Sequence, residues 1–131
     1  MYAYGKVSEA HIATLHPDLQ RLLREVIKYV NISVTCGHRG EAAQEAAFYS
    51  GASEVHWPDG MHNKLPSLAV DVAPYPLDWH DEESFTLLAG IIKGIAFMLG
   101  IKIRLGIDWD GDMVVREHKF KDRPHIELVL P

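Results

Sequence analysis

Apolar residues recur along this chain at two spacings, and the spacings divide it into helices and strands. Leu19, Leu22, Leu23, Val26, Ile27 and Val30 return every three or four positions, with Gln20, Arg21, Arg24, Glu25 and Lys28 between them. That is one face of an amphipathic helix. It opens at His16-Pro17-Asp18, where proline suits a first turn, and ends at Asn31. A shorter helix is expected from a Ser8 cap, with Glu9 in its first turn, to about Leu15. A third, rich in alanine, runs from Glu41 to about Tyr49 and stops before Gly51. Asp81, Glu82 and Glu83 suit the start of a long helix, about Ser84 to Leu99, with Gly100 as its stop. Its buried side is Phe85, Leu88, Ile91, Ile92, Ile95 and Leu99; Phe97 lies on the far side, so the helix is expected to be covered nearly all round.

Four other stretches are alternating or β-branched and too short for helices: Ile32 to Cys36, Leu68 to Val72, Ile101 to Ile107 and His125 to Leu130. Ser50 to Pro66 is irregular, with Trp57-Pro58-Asp59-Gly60 as its clearest turn, and a polar loop fills the chain from Asp108 to Arg123. The pattern predicts an α+β domain: helices packed on a small, largely antiparallel sheet.

Composition narrows the function classes. The 131 residues suffice for one domain and one core, and are too few for a catalytic domain plus a separate targeting domain. The 47% apolar and 24% charged content is an ordinary globular balance, not that of a disordered chain. A formal charge of -5 gives no basic face for nucleic acid. Cys36 is alone, so no internal disulfide forms. Met1-Tyr2-Ala3-Tyr4-Gly5-Lys6 has no apolar core of a signal peptide, and the stretch from Leu87 to Leu99 is too short and interrupted to span a bilayer.

Two polar groups are out of place in this pattern. Asp71 sits inside the apolar run Leu68 to Val72, and His125 opens the last strand. A buried carboxylate is expensive unless paired or bound to metal. With His62, just before the Pro66-Ser67 turn, these residues make an open zinc site of two histidines and one aspartate, leaving the fourth position for water.

In this order the motifs resemble the zinc peptidases of bacterial cell-wall peptides, the D-alanyl-D-alanine carboxypeptidase and L-alanyl-D-glutamate endopeptidase family. His62, Ala69-Val70-Asp71 and Asp122-Arg123-Pro124-His125 stand in the family's places, and the phage members are most alike through His16 to Gln20 and Pro66 to Pro76. The resemblance implies a single catalytic domain of the DD-peptidase/Hedgehog-like fold over residues 1–131, expected without a separate cell-wall-binding domain and holding one zinc ion at His62, Asp71 and His125. It implies Asp122 as the catalytic base, Arg39 facing the reacting carbonyl, and Gln44 near substrate. Gly60 replaces the usual serine of the family's Ser-x-His, and His38 replaces the commoner tyrosine or leucine before Arg39.

The chemistry fits amide hydrolysis. Zinc with three protein ligands lowers the pKa of a bound water to about 7. A carboxylate beside that water takes its proton, and a guanidinium, always charged, stabilises the oxyanion. The substrate expected is a peptidoglycan stem peptide, cut at L-alanyl-D-glutamate by a phage lysis enzyme. A carboxypeptidase on terminal D-Ala-D-Ala is the same-site alternative, and a non-catalytic zinc-dependent wall-binding domain the alternative of another class. The protein is expected to be a monomer, made in the host cytoplasm without its own export signal. Asp108, Asp110 and Asp112 resemble a calcium loop, but Gly111 is at its fourth position and Lys119 at its twelfth, so calcium is not expected there. Cys36 reads as a small buried thiol. His38, His56, His80 and His118 read as surface or rim residues, Trp109 as either core or substrate platform, and Glu127 as either a support near the metal or an ordinary ion-pair partner.

Overall fold

The computed structural model describes residues 1–131. Its helices are α1 (Lys6–Ile12), α2 (Pro17–Val26), α3 (Glu41–Ser50) and α4 (Glu82–Leu99), and its strands are β1 (Ile32–Cys36), β2 (Ala69–Pro74), β3 (Ile103–Leu105) and β4 (His125–Leu128). The strands form one sheet in the order β1-β2-β4-β3, with every neighbouring pair antiparallel. This is the α+β architecture expected from the pattern.

Strand parity separates the core from the site. Ile32, Val34, Val70, Val72, Ile103, Leu105, Ile126 and Leu128 belong to one buried cluster with Leu19, Leu22, Leu23, Leu88 and Ile92 of the helices. The intervening residues Asp71, His125, Glu127 and Arg104 therefore project from the other face. Asp71 pairs directly across from His125, and Glu127 across from Arg104. A register shift between Val34 and Cys36 interrupts β1, so that Cys36 is opposite Asp71. A bulge of this kind re-aims the chain, here delivering Cys36 and Gly37 to the edge of the site.

Several boundaries differ from expectation. Ser8 does not cap α1; Gly5 does, and Ser8 lies buried within the helix with its Oγ accepting from Val34 N at 2.9 Å. Asp81 caps α4, its carboxylate accepting from Ser84 N, so the helix starts at Glu82. α2 stops at Val26, β2 runs on to Pro74, and β3 is regular only over Ile103–Leu105, although Gly106 N still donates to His125 O and Val129 N to Lys102 O, each at 2.9 Å. The far side of α4 is not covered: Leu87, Phe97 and Met98 are exposed, Phe97 to 71%. A domain of two layers has no third layer to lay over that side. No helix is long and apolar enough to cross a membrane.

Candidate metal centre

Three electron-pair donors converge at one point. His62 Nε2 lies 3.2 Å from Asp71 Oδ1 and 3.2 Å from His125 Nδ1, and His125 Nδ1 lies 3.5 Å from Asp71 Oδ1. His62 comes from a short 3-10 turn, Met61–Asn63, laid over the sheet; Asp71 and His125 come from adjacent strands. All three side chains are largely buried.

The outer nitrogens fix which ring atoms face inward. His62 Nδ1 is 2.7 Å from the Gly37 carbonyl oxygen, which has no proton to give, so Nδ1 donates. His125 Nε2 likewise donates to Glu127 Oε1 at 2.9 Å. In the neutral rings, His62 Nε2 and His125 Nδ1 therefore present lone pairs to each other and to Asp71. Only a cation or protons can reconcile three such atoms. Tetrahedral zinc with bonds of about 2.0–2.1 Å puts neighbouring donors roughly 3.3–3.4 Å apart, and two imidazoles with one carboxylate are an ordinary zinc donor set. The residues fit the metal. Glu127 also meets Arg104 at 3.3 Å, so it both supports His125 and forms an ion pair.

Without a cation, protons take that role. Burial alone would depress His62, but the hydrogen bond to Asp71 and contact with Cys36 outweigh it, lifting the ring from 6.5 to about 10. His125 is also raised: Asp71 and Glu127 outweigh its burial. Burial would raise Asp71, yet its bonds to His125 and His62 hold it well below the usual carboxylate range.

Asp122 and Arg39 flank the donors. Asp122 Oδ2 is 3.6 Å from His125 Nδ1, and Arg39 Nη2 is 3.5 Å from Asp71 Oδ2. Burial, reinforced by the negative charge of Asp71, pushes Asp122 up to about 6. Its place depends on Gly106. A Cβ there would strike the Asp122 carbonyl and lie 2.9 Å from His125 Cβ, while Asp122 N donates to Gly106 O at 2.9 Å. Arg39, His62, Asp122 and His125 line a cleft of about 310 Å³ whose far wall includes Trp109, His118 and Phe120, with Asp71 at its floor behind the two imidazoles.

Expectation placed Gln44 against substrate. It lines the cleft but is 1% exposed, with its side-chain amide bonded to protein groups. Trp109 belongs to that wall: its Nε1 donates to Phe120 O at 3.0 Å, its ring stacks on Phe120, and its centroid is 5.4 Å from that of His125. Cys36 is only half-buried, with Sγ 3.9 Å from His62 Nδ1 and 3.7 Å from Arg39 Nη2. Asp108, Asp110 and Asp112, at the turn after β3, gather with His118. The Gly37 carbonyl, Asn63 and Gly106 were not singled out by sequence. Only Gly106, a lone glycine at the end of an apolar strand, carried a signal, that of close backbone approach.

A family model described as phage L-alanyl-D-glutamate peptidase matches residues 1–129. The chain belongs to that family. Among its relatives is the L-alanyl-D-glutamate peptidase of Escherichia phage T5, 29% identical over 136 residues that span 98% of each chain. Among solved structures, the Serratia marcescens L-Ala D-Glu endopeptidase ChiX superposes with a TM-score of 0.74 at 27% identity. That match covers 97% of this chain and 90% of the other. For a member of this peptidase family, the convergence of His62, Asp71, His125, Asp122 and Arg39 in one cleft marks the place to look for its chemistry.

Proposed function

We propose that this chain is a zinc peptidase that hydrolyses the L-alanyl-D-glutamate bond of peptidoglycan stem peptides, serving phage-driven breakdown of the host wall. The observation that carries this reading is the set of three inward-facing donors spaced for one tetrahedral ion, with a carboxylate and a guanidinium on either side. The bond assigned is the one named for the family and for both relatives.

His62 Nε2, His125 Nδ1 and Asp71 Oδ1 would hold the ion. When bound there, zinc would supply Lewis acidity toward the scissile carbonyl and toward the attacking water. The Gly37 carbonyl and Glu127 keep each imidazole in the tautomer that presents its lone pair inward. Arg39 orients the L-alanyl carbonyl and balances the charge that develops on its oxygen. Asp122 accepts the proton of the attacking water and passes it to the departing D-glutamate nitrogen. Its burial suits this exchange, because a carboxyl near pH 6 both takes and returns a proton close to neutrality.

The test is mass spectrometry of fragments released from purified peptidoglycan, with chelator and with zinc restored. The expected result is fragments with a new D-glutamate N-terminus, abolished by chelator and recovered with zinc. Release of terminal D-alanine alone, or no release in any metal condition, would overturn the assignment.

A further inference from the structure

Arg39 is fixed by a closed hydrogen-bond circuit whose other members touch no metal donor atom. Gln44 Oε1 accepts from Arg39 Nη1 at 3.1 Å and from Asn63 Nδ2 at 3.1 Å. Gln44 Nε2 donates to Ser53 Oγ at 3.0 Å and to Val55 O at 2.8 Å. An amide side chain offers two donors and two acceptor lone pairs. All four are engaged, which leaves Gln44 nothing to offer a substrate.

Asn63 closes the circuit. Its Nδ2 also donates to the Arg39 carbonyl at 2.9 Å, and its Oδ1 accepts from Gly60 N at 2.8 Å. Arg39 N donates to His62 O at 2.8 Å. Arg39 is thus held at its amide, its carbonyl and its guanidinium, in each case directly or through Gln44 by the turn that carries His62.

Position 60 leaves the space that this arrangement uses. Gly60 has φ -74, a conformation open to any residue, so space and not backbone strain calls for glycine. A Cβ there would lie 2.7 Å from Asn63 Oδ1 and 3.2 Å from Gln44 Oε1. The amide of Asn63 occupies the room that a side chain at position 60 would need.

We infer that Asn63, acting through Gln44 and the Arg39 carbonyl, is a positioning residue for Arg39, alongside the contacts its guanidinium makes to Asp71 and Cys36. It ties the guanidinium rigidly to the turn that presents His62. The inference rests on the reading above only in the role given to Arg39.

Its test compares wild type with Asn63→Ala, Asn63→Asp, Arg39→Ala and the Arg39→Ala/Asn63→Ala pair, following release of D-glutamate N-termini, zinc content and melting. Asn63→Ala is expected to lower kcat about tenfold to a hundredfold, as displaced groups do, with KM and zinc content little changed. Asn63→Asp keeps shape and fold but lacks the Nδ2 donor, and it should lose as much. In the Arg39→Ala background, Asn63→Ala should do nothing further. Gly60→Ser should harm the wild type yet restore part of the activity of Asn63→Ala. Independent, multiplying losses at positions 39 and 63, or an unchanged kcat, would overturn the inference.

Nitrogen NMR of the Arg39 guanidinium reads the same claim without substrate. Resolved Nη signals in wild type should average in Asn63→Asp. Wild type that releases no D-glutamate termini would sink the proposed function instead, and the guanidinium signals would then decide the positioning claim alone. Averaged signals in wild type, or no change on substitution, would refute it.

Discussion

Asp71 and Asp122 are two carboxylates in one cleft driven in opposite directions. Asp71 meets both imidazoles and is held ionised; Asp122 is largely buried, feels the charge of Asp71, and is lifted to about 6. The account gives them different work, so their loss should differ in kind. Asp122→Ala should leave zinc content near one per chain but lower kcat by about a hundredfold or more. His125→Ala should lose metal and activity together. Retained cleavage in the first, or unchanged zinc in the second, would remove that residue from its role. The base must be ionised to accept a proton, so activity should fall as pH drops through its pKa. A bound dication stabilises the carboxylate, so the acidic limb of kcat/KM should lie at or below about 6. A limb above neutrality would assign it to another group. Asp71 and His125 were legible in the sequence because charged or polar groups in apolar strands are conspicuous. The partners of the ligands were not, since a main-chain carbonyl such as that of Gly37 has no residue signature. Asn63 reads as one more polar residue in an irregular stretch.

Elements place those residues by parity and by two local departures from regularity. The alternation along β2 and β4 sends Val70, Val72, Ile126 and Leu128 to the core and leaves Asp71, His125 and Glu127 to the cleft. That division could be read from the chain, as could α2, α3 and β1 to within a few residues. The bulge in β1 could not, because Ile32 to Cys36 alternates regularly in sequence and only pairing with β2 reveals the extra residue. The exposed side of α4 departs from the pattern because periodicity reports how apolar a face is, not whether anything covers it. Gly106 permits the contact between the end of β3 and the chain before β4. Gly106→Ala should displace the Asp122 turn, lowering kcat about a hundredfold and stability by about 1–3 kcal/mol. Activity equal to wild type with an unchanged melting temperature would show that the turn is not set there.

At the scale of the molecule, the metal centre and the fold are linked through protons. His62, lifted to about 10, carries a proton at neutral pH in the metal-free protein. A group whose folded pKa is raised stabilises the fold below its ordinary value, here 6.5, and that stabilisation is lost as pH rises through about 10. Zinc needs the neutral ring and displaces the proton, so affinity should rise with pH over the same window. Calorimetry in buffers of different ionisation heat should show proton release on zinc binding at pH 7. A binding heat independent of the buffer would contradict the link. An ion held by His62, Asp71 and His125 of the folded form should raise the melting temperature with zinc concentration.

The most direct test of the whole account is the coordination of the bound ion, because Cys36 stands close enough to His62 and Asp71 to offer a different set of donors. X-ray absorption at the zinc edge, on protein loaded with one equivalent, separates the two by bond length. The account predicts only nitrogen and oxygen neighbours at about 2.0–2.2 Å, two of them imidazoles. A sulfur neighbour at about 2.3 Å would place the metal on Cys36 and contradict the centre described by His62, Asp71 and His125.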